Sequence, residues 1–161
     1  MNDQLKELSI LLSNSVFVPV MKASDKESIL SELSDLLVAS NKIKAKDRDS
    51  VLAALVDRES KMSTGMQYGV AIPHAKTDLV EKLVTTIAIS PEGVEFGSLD
   101  GAPTTIFVTT LSPRSDANSH IKFLAEVSRQ LSSRRVREQL LAAKTNEDMV
   151  NAICGTRDTD S

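Results

Sequence analysis

The sequence has few aromatic residues, with no tryptophan, one tyrosine and four phenylalanines among its 161 residues. A folded core must therefore be built mainly from aliphatic side chains, in a chain that is 41% hydrophobic. The single cysteine, Cys154, excludes an internal disulfide and fits a reducing compartment. The sequence also lacks an apolar run of membrane-spanning length and a signal peptide, so we expect a cytoplasmic protein without direct membrane insertion.

An excess of charge of one sign is also missing, because 19 basic residues stand against 22 acidic ones and leave a net charge of -3. This balance gives no general attraction to nucleic acid or to anionic membranes. The basic run at 134–137 is interpreted as a solvated helix face, since no aromatic residues for base stacking accompany it. The length fits one domain, and we expect a single domain over residues 1–161 with its core at about 16–153.

The patterns of the common hydrolases do not occur either. The two histidines, His74 and His120, are too few to supply the three protein ligands of a hydrolytic metal site, and no His-Glu-x-x-His pattern is present. A Gly-x-Ser-x-Gly elbow, which would place a nucleophilic serine, is absent from the sequence. The sequence therefore argues against a metal hydrolase and against a serine hydrolase.

Helical and extended patterns alternate along the chain. Three helices are predicted in the first part of the chain: one at about 5–12, one from a capping box at Ser24 and Glu27 to Ala39, and one from a cap at Asp47 to about 59. Three more are predicted after the strands: one from a cap at Asn118 to about 131, and two around 136–141 and 149–153, before a polar tail. Strands are predicted at 16–20, where Pro19 favours a sheet edge, and at 70–72, 83–89 and 104–111. Helices before, between and after the strands predict an α/β layered domain.

The segment 64–76 combines two glycines, a short apolar run, a proline and a histidine. The strand at 70–72 should end at Pro73, which has no amide to donate to a ladder. We therefore expect His74 just past the end of the strand, on a stiff loop near solvent. A neutral imidazole is a nucleophile near neutral pH, so a histidine held in this way suits group transfer. Local composition alone leaves an ordinary loop histidine as the alternative.

Three further features are candidates for binding an anion. The hydroxyl and glycine loop around Thr64 and Gly65 can turn amides and hydroxyls towards a ligand, although a flexible turn is the alternative. His120, near the start of its helix, can stay neutral and donate to an oxyanion, unless it is a solvated cap residue. Arg58 carries a planar guanidinium that can hold a phosphate with two hydrogen bonds, but its position alone is also that of a surface residue.

Considered together, these segments resemble a known family. The run 57–59, the triplet 63–65 and the run from Gly69 to His74 are similar to the phosphorylation-site signature of phosphotransferase-system enzyme IIA domains. The branch is the fructose/mannitol one, which includes the nitrogen-regulatory type. The segment 118–120 with Leu124 and Ala125 resembles the second histidine of the family, and the segment 93–101 resembles the connection before its central strand. The resemblance extends from Ser24 to Ile153.

The resemblance implies a mixed β-sheet of about five strands, sandwiched between helices on both faces. It also implies that His74 accepts a phosphoryl group from the phosphocarrier HPr and that Arg58 balances the charge of that group. His120 would hydrogen-bond the phosphate, with Thr64 and Gly65 completing the phosphate-binding set. Phosphoryl transfer between two histidines requires alignment and charge balance, so neither a metal nor a cofactor is expected.

The resemblance implies one of two downstream roles. The phosphoryl group would pass to a IIB domain that serves a sugar permease, or its presence would be read by regulatory target proteins. The alternative function is therefore a purely regulatory binding module without sugar transport. Tyr68 and Ala75 depart from common residues of the family, and both are expected at the rim of the partner surface. Apolar area for docking is expected there from four residues, namely Met66, Tyr68, Val70 and Ile72.

Overall fold

The computed structural model describes residues 3–155, which contain six α-helices and five strands. The helices are α1 Asp3–Ser13, α2 Lys26–Ala39, α3 Arg48–Lys61, α4 Ala117–Leu131, α5 Arg134–Ala142 and α6 Asn146–Cys154. The strands are β1 Val16–Val18, β2 Val70–Ala71, β3 His74–Lys76, β4 Val84–Val94 and β5 Thr104–Ser112. All the predicted helices and strands are present, and β3 is additional. Residues 1–2 and 156–161, including the predicted polar tail, lie outside the described residues.

The strands form one mixed sheet in the order β1-β4-β5-β2, with β3 also paired to β5. β1 is parallel to β4, β4 is antiparallel to β5, and both β2 and β3 are parallel to β5. β1 lies at one edge, as Pro19 immediately after it predicts. The expected mixed sheet of about five strands is therefore confirmed.

Helices cover both faces of the sheet, as expected, because successive side chains of β5 point to opposite sides. Ile106 and Val108 belong to an apolar cluster shared with residues of α1, α4, α5 and α6. Phe107 and Leu111 belong to a second cluster, shared with residues of α2 and α3. No helix within residues 3–155 is both long enough and apolar enough to cross a membrane.

The short strands β2 and β3 form one line along β5. Val70 is in register with Ile106, and His74 is in register with Thr110. The register against β5 is therefore the same before and after Ile72 and Pro73, the two residues between the strands. Pro73 causes the interruption because it has no amide for the ladder, while its carbonyl still accepts the Thr110 amide at 3.0 Å. The prediction that His74 lies on a loop past the strand was therefore wrong. The chain pairs with β5 again after the proline, and His74 is the first residue of β3.

Three predicted helix caps need correction. Asp25 caps α2 in place of Ser24, and its carboxylate accepts the Ser28 amide at 2.9 Å. Asp116 caps α4 in place of Asn118, which lies inside the helix. In both cases a carboxylate is the stronger acceptor and also complements the helix dipole. Asp47 stands before α3 but makes no side-chain cap, because the preceding 3-10 turn Ala45–Asp47 gives it helical rather than extended backbone angles.

A buried carboxylate holds the connection between α3 and β2. Glu59 is only 6% exposed and accepts both the amide and the hydroxyl of Thr64, at 2.9 and 2.6 Å. Lys26, on α2, lies 2.9 Å from the same carboxylate and also donates to the carbonyl of Phe96 at 3.2 Å. The Thr64 carbonyl in turn accepts the Ile72 amide at 3.1 Å. Glu59 therefore links two helices to the chain that leads into His74.

Replacing this carboxylate should destabilise the fold. Glu59→Ala leaves two Thr64 donors without their acceptor and the Lys26 ammonium without its counter-ion, so the free energy of unfolding should fall by about 3 kcal/mol. Urea unfolding at pH 7 measures the change. The control is Glu81→Ala at an exposed position, which should change stability by no more than about 0.5 kcal/mol. Equal effects of the two variants would contradict the structural role of Glu59.

Candidate functional site

The two histidines of the sequence meet at the end of β5. His74 opens β3 alongside Thr110, and His120 lies in the first turn of α4, which follows β5 in the chain. Their ring centroids are 5.1 Å apart and their planes are tilted by 55°. The structure therefore brings together two residues that are 46 positions apart in the numbering of the printed sequence.

His74 is held as a neutral ring with one free nitrogen. Its Nδ1 lies 2.6 Å from the carbonyl oxygen of Ile72, and because a carbonyl oxygen only accepts, Nδ1 must carry the proton. Burial lowers the pKa of the ring below its ordinary value of 6.5; the bond to Ile72 opposes this shift, and the charge of Arg58 adds to it. The lone pair therefore lies on Nε2, the nitrogen available for nucleophilic attack.

His120 is a buried residue rather than a solvated helix cap. It is 4% exposed, and its Nδ1 lies 3.0 Å from the hydroxyl of Ser112, the last residue of β5. Burial, followed by the charges of His74 and Lys76, lowers its pKa from 6.5 to about 4. The expected neutral ring is thus present, although burial is the main cause rather than the helix dipole on which the prediction relied.

Arg58 lies in the last turn of α3, partly exposed. Its Nη1 donates to the carbonyl of Met62 at 2.7 Å, which fixes the side chain against the start of the following loop. A guanidinium has five N–H donors, so this contact leaves others available for an anion. The charge of Arg58 contributes to the lowered pKa of His74. No group of three or more potential metal-ligating His, Cys, Asp or Glu side chains occurs within residues 3–155.

Thr64 and Gly65 have structural contacts in this state. Both donors of Thr64 are bound to Glu59, and the amide of Gly65 donates to the hydroxyl of Ser63 at 3.0 Å. Gly65 also packs so closely on Ser98 that an added Cβ would lie 2.8 Å from the Ser98 hydroxyl oxygen. The glycine is therefore explained by close packing. Direct phosphate binding by Thr64 and Gly65 stays a prediction.

Burial contradicts three members of the predicted partner surface, and for Tyr68 and Met66 that surface stays a prediction. Val70, Ile72 and Ala75 are buried, at 3%, 5% and 5% exposure, so none of them offers docking surface. The short strands lie in the sheet with a helical layer on each side, so side chains on both faces of these strands are buried. Tyr68 is 56% exposed, and its ring lies 4.4 Å from the guanidinium of Arg137. Of the predicted four apolar residues, Tyr68 and the partly buried Met66 remain available at the surface.

Sequence reasoning missed two residues of the site, Ser112 and Glu59. Ser112 directly follows the strongest β run of the sequence and precedes the helix that carries His120. This position of a polar residue was the sequence feature that could have indicated its role. Glu59 appeared in the family resemblance only as a neighbour of Arg58. Its burial and its contacts with Lys26 depend on the packing of α2 against α3, which is not local in sequence.

Comparison with known proteins identifies the family. Residues 9–154 match the family model described as "Phosphoenolpyruvate-dependent sugar phosphotransferase system, EIIA 2". The chain belongs to this family. It is a component of the phosphotransferase system, and the resemblance found in the sequence is confirmed over nearly the whole described region.

Relatives of both kinds expected from the sequence are found. The fructose-specific EIIA component of Haloferax volcanii is 36% identical over 128 residues, which cover 80% of this chain and 82% of the relative. A nitrogen regulatory protein of Bradyrhizobium diazoefficiens is 28% identical over 143 residues, which cover 89% of this chain and 92% of the relative. The enzyme IIA family to which this chain belongs thus includes proteins named for sugar transport and proteins named for nitrogen regulation.

Solved structures share the fold. The nitrogen regulatory protein IIA-Ntr of Neisseria meningitidis aligns with a TM-score of 0.79 at 24% identity, covering 91% of this chain and 99% of the other. The IIA mannitol enzyme of Escherichia coli, determined in complex with phosphorylated IIB, aligns with a TM-score of 0.70 at 22% identity, covering 87% and 94%. The α/β architecture is therefore that of enzyme IIA structures.

The lowered pKa values make stability depend on pH. Between pH 6.5 and about 4 the unfolded chain binds a proton at His120 that the native state excludes, so the free energy of unfolding should fall as the pH drops through this range. His74 acts in the same direction. The slope from one group is at most about 1.4 kcal/mol per pH unit. Carboxylates whose pKa is lowered, such as Asp25, lose their contribution below 3.8, outside the window.

Urea unfolding at several pH values from 7 to 4.5 measures this dependence. His120→Gln, which does not titrate, should show a shallower slope than the unmodified protein because only His74 then contributes. An unchanged slope would show that His120 is not buried as a neutral ring.

Proposed function

We propose that the protein is a phosphohistidine carrier in which Nε2 of His74 accepts a phosphoryl group from phosphorylated HPr. The lone pair on Nε2 forms the new bond to phosphorus as the P–N bond to the donor histidine breaks, and the electron pair of that bond stays on the departing imidazole. Nδ1 keeps its proton against the Ile72 carbonyl during attack. The observation that carries the proposal is this 2.6 Å contact, because it fixes which nitrogen of His74 is nucleophilic.

The surrounding groups supply charge balance rather than covalent chemistry. Arg58 offers a positive charge and further N–H donors to the phosphoryl oxygens. His120, whose ring centroid is 5.1 Å from that of His74, offers one N–H donor while it remains neutral. A dianionic phosphoryl group on His74 should make His120 easier to protonate, so the pKa of His120 should rise on phosphorylation.

Two downstream roles remain, and each has support. A fructose-specific relative and a solved complex of IIA mannitol with phosphorylated IIB support onward transfer to a IIB partner. A nitrogen regulatory relative supports a role in which target proteins read the phosphorylation state of His74. Pull-down from a cell extract with phosphorylated and unphosphorylated protein separates the two. A IIB protein that removes the phosphoryl group indicates transfer, whereas a target retained by one state alone indicates regulation.

His74 should be the sole site of phosphorylation. Incubation with phosphoenolpyruvate, enzyme I and HPr should label the protein, and the label should be lost in acid and survive base, as a phosphoramidate does. His74→Ala should carry no label, because the nucleophile is gone. His120→Ala is the matched control: it should still be labelled, more slowly, since only a hydrogen-bond donor is missing. Label that persists in His74→Ala would refute the assignment.

Arg58 should contribute to transfer and not to stability. Loss of a charge-assisted hydrogen bond costs about 1.5–3 kcal/mol, so Arg58→Ala should slow phosphorylation by more than about tenfold. The melting temperature should change little, because the side chain is partly exposed and, in the described part of the chain, makes one hydrogen bond, to the Met62 carbonyl. Lys61→Ala, which removes an exposed cation from the same helical turn, should leave the rate unchanged. A large loss of stability with normal transfer would make Arg58 structural.

A further inference from the structure

Within residues 3–155, Ser112 is the one side chain in hydrogen-bond contact with the ring of His120. It is fully buried at the end of β5, and its Oγ lies 3.0 Å from Nδ1 of His120. The backbone at this position is also fixed, because the Ser112 carbonyl accepts the Thr77 amide at 2.8 Å. Strand geometry therefore sets where the hydroxyl stands relative to α4.

The direction of this hydrogen bond follows from the number of protons available. A hydroxyl has one proton and two lone pairs, and a neutral imidazole has one proton. Among the residues that the structure describes, Nδ1 of His120 is the one polar partner of Ser112 Oγ. If the ring donated, the serine proton would be buried without an acceptor. If the serine donates, only lone pairs are left unused. An unused lone pair on a buried oxygen costs less free energy than a buried donor without an acceptor.

We propose that Ser112 is a positioning residue that donates its proton to Nδ1 of His120 and holds that ring in the tautomer with its proton on Nε2. The two rings then have opposite tautomers. His74 has its proton on Nδ1 and its lone pair on Nε2, whereas His120 has its lone pair on Nδ1 and its proton on Nε2. One ring is prepared as a nucleophile, and its neighbour 5.1 Å away is prepared as a hydrogen-bond donor.

Neighbouring hydroxyls on β5 show that this contact is particular to Ser112. The Oγ1 atoms of Thr109 and Thr110 are buried and have no hydrogen-bond partner within residues 3–155. Burial on this strand therefore does not by itself give a hydroxyl a partner, and the pairing of Ser112 with His120 depends on the position of Ser112 at the end of β5, beside α4. Thr109 alternates with Thr110 along the strand and faces the opposite helical layer, which makes it a matched control.

Nitrogen NMR of the unphosphorylated full chain tests the tautomer directly. In the unmodified protein at pH 7, two-bond proton–nitrogen correlations should show His120 with its proton on Nε2 and an acceptor Nδ1. In Ser112→Ala the shifts of the two ring nitrogens should move towards each other, as in a ring that samples both tautomers. Thr109→Val should leave them unchanged. A proton found on Nδ1 in the unmodified protein, or shifts that Ser112→Ala does not move, would overturn the proposal.

A second measurement follows the consequence for transfer, and here the inference rests on the proposed function. Phosphorylation of His74 by phosphorylated HPr should be about tenfold slower in Ser112→Ala, the scale of one hydrogen bond. Ser112→Thr, which keeps the hydroxyl, should recover most of the rate, and Thr109→Val should show no loss. An unaltered rate in a folded Ser112→Ala variant would contradict the positioning role. If the unmodified protein is never phosphorylated, the proposed function fails, while the tautomer result stands by itself.

Discussion

The site depends on the register between β5 and its interrupted parallel partner. Side chains alternate along a strand, so a slip of one residue would turn His74 to the opposite face of the sheet, towards α2 and α3 and away from His120. The register is the same on both sides of Pro73, as the pairs Val70–Ile106 and His74–Thr110 show. The proline removes one amide from the ladder but does not shift the strand. The interruption leaves the Ile72 carbonyl within 2.6 Å of Nδ1 of the histidine that follows.

Burial and charge pairing make the two imidazoles neutral while a cation remains nearby. The carboxylate of Glu59 could have offset the charge of Arg58, its neighbour in the chain. Its oxygens are instead occupied by Lys26 and Thr64, at 2.9 Å or less. Arg58 instead donates to the Met62 carbonyl, and burial lowers the pKa of both rings. The roles proposed for these groups, a neutral nucleophile, a neutral donor and a cation, match the needs of a transferred phosphoryl group.

Local patterns in the sequence predicted most of the fold, and the errors have physical causes. The strand β5 and the helix α2 follow from their composition and periodicity. The strand β3 was missed because a proline usually ends a strand, and only pairing with β5 shows that it resumes. Caps were misplaced by one or two residues, since neighbouring polar residues compete for the same amides. The roles of Ser112 and Glu59 could not be predicted, because both depend on side chains brought together by packing.

The groups that fix the tautomers of the two histidines lie in the interior of the protein. The groups that set the state of the histidines are a backbone carbonyl, at Ile72, and a buried hydroxyl, at Ser112, and neither is presented to a partner. Tyr68 is exposed, and its ring rests on Arg137, which donates to the Leu131 and Ser132 carbonyls at the end of α4. Residues at the rim can therefore change with little effect on the tautomers or charges of the site. A site whose protonation is set by buried groups allows exposed residues to differ within a family that includes relatives named for fructose and for nitrogen regulation.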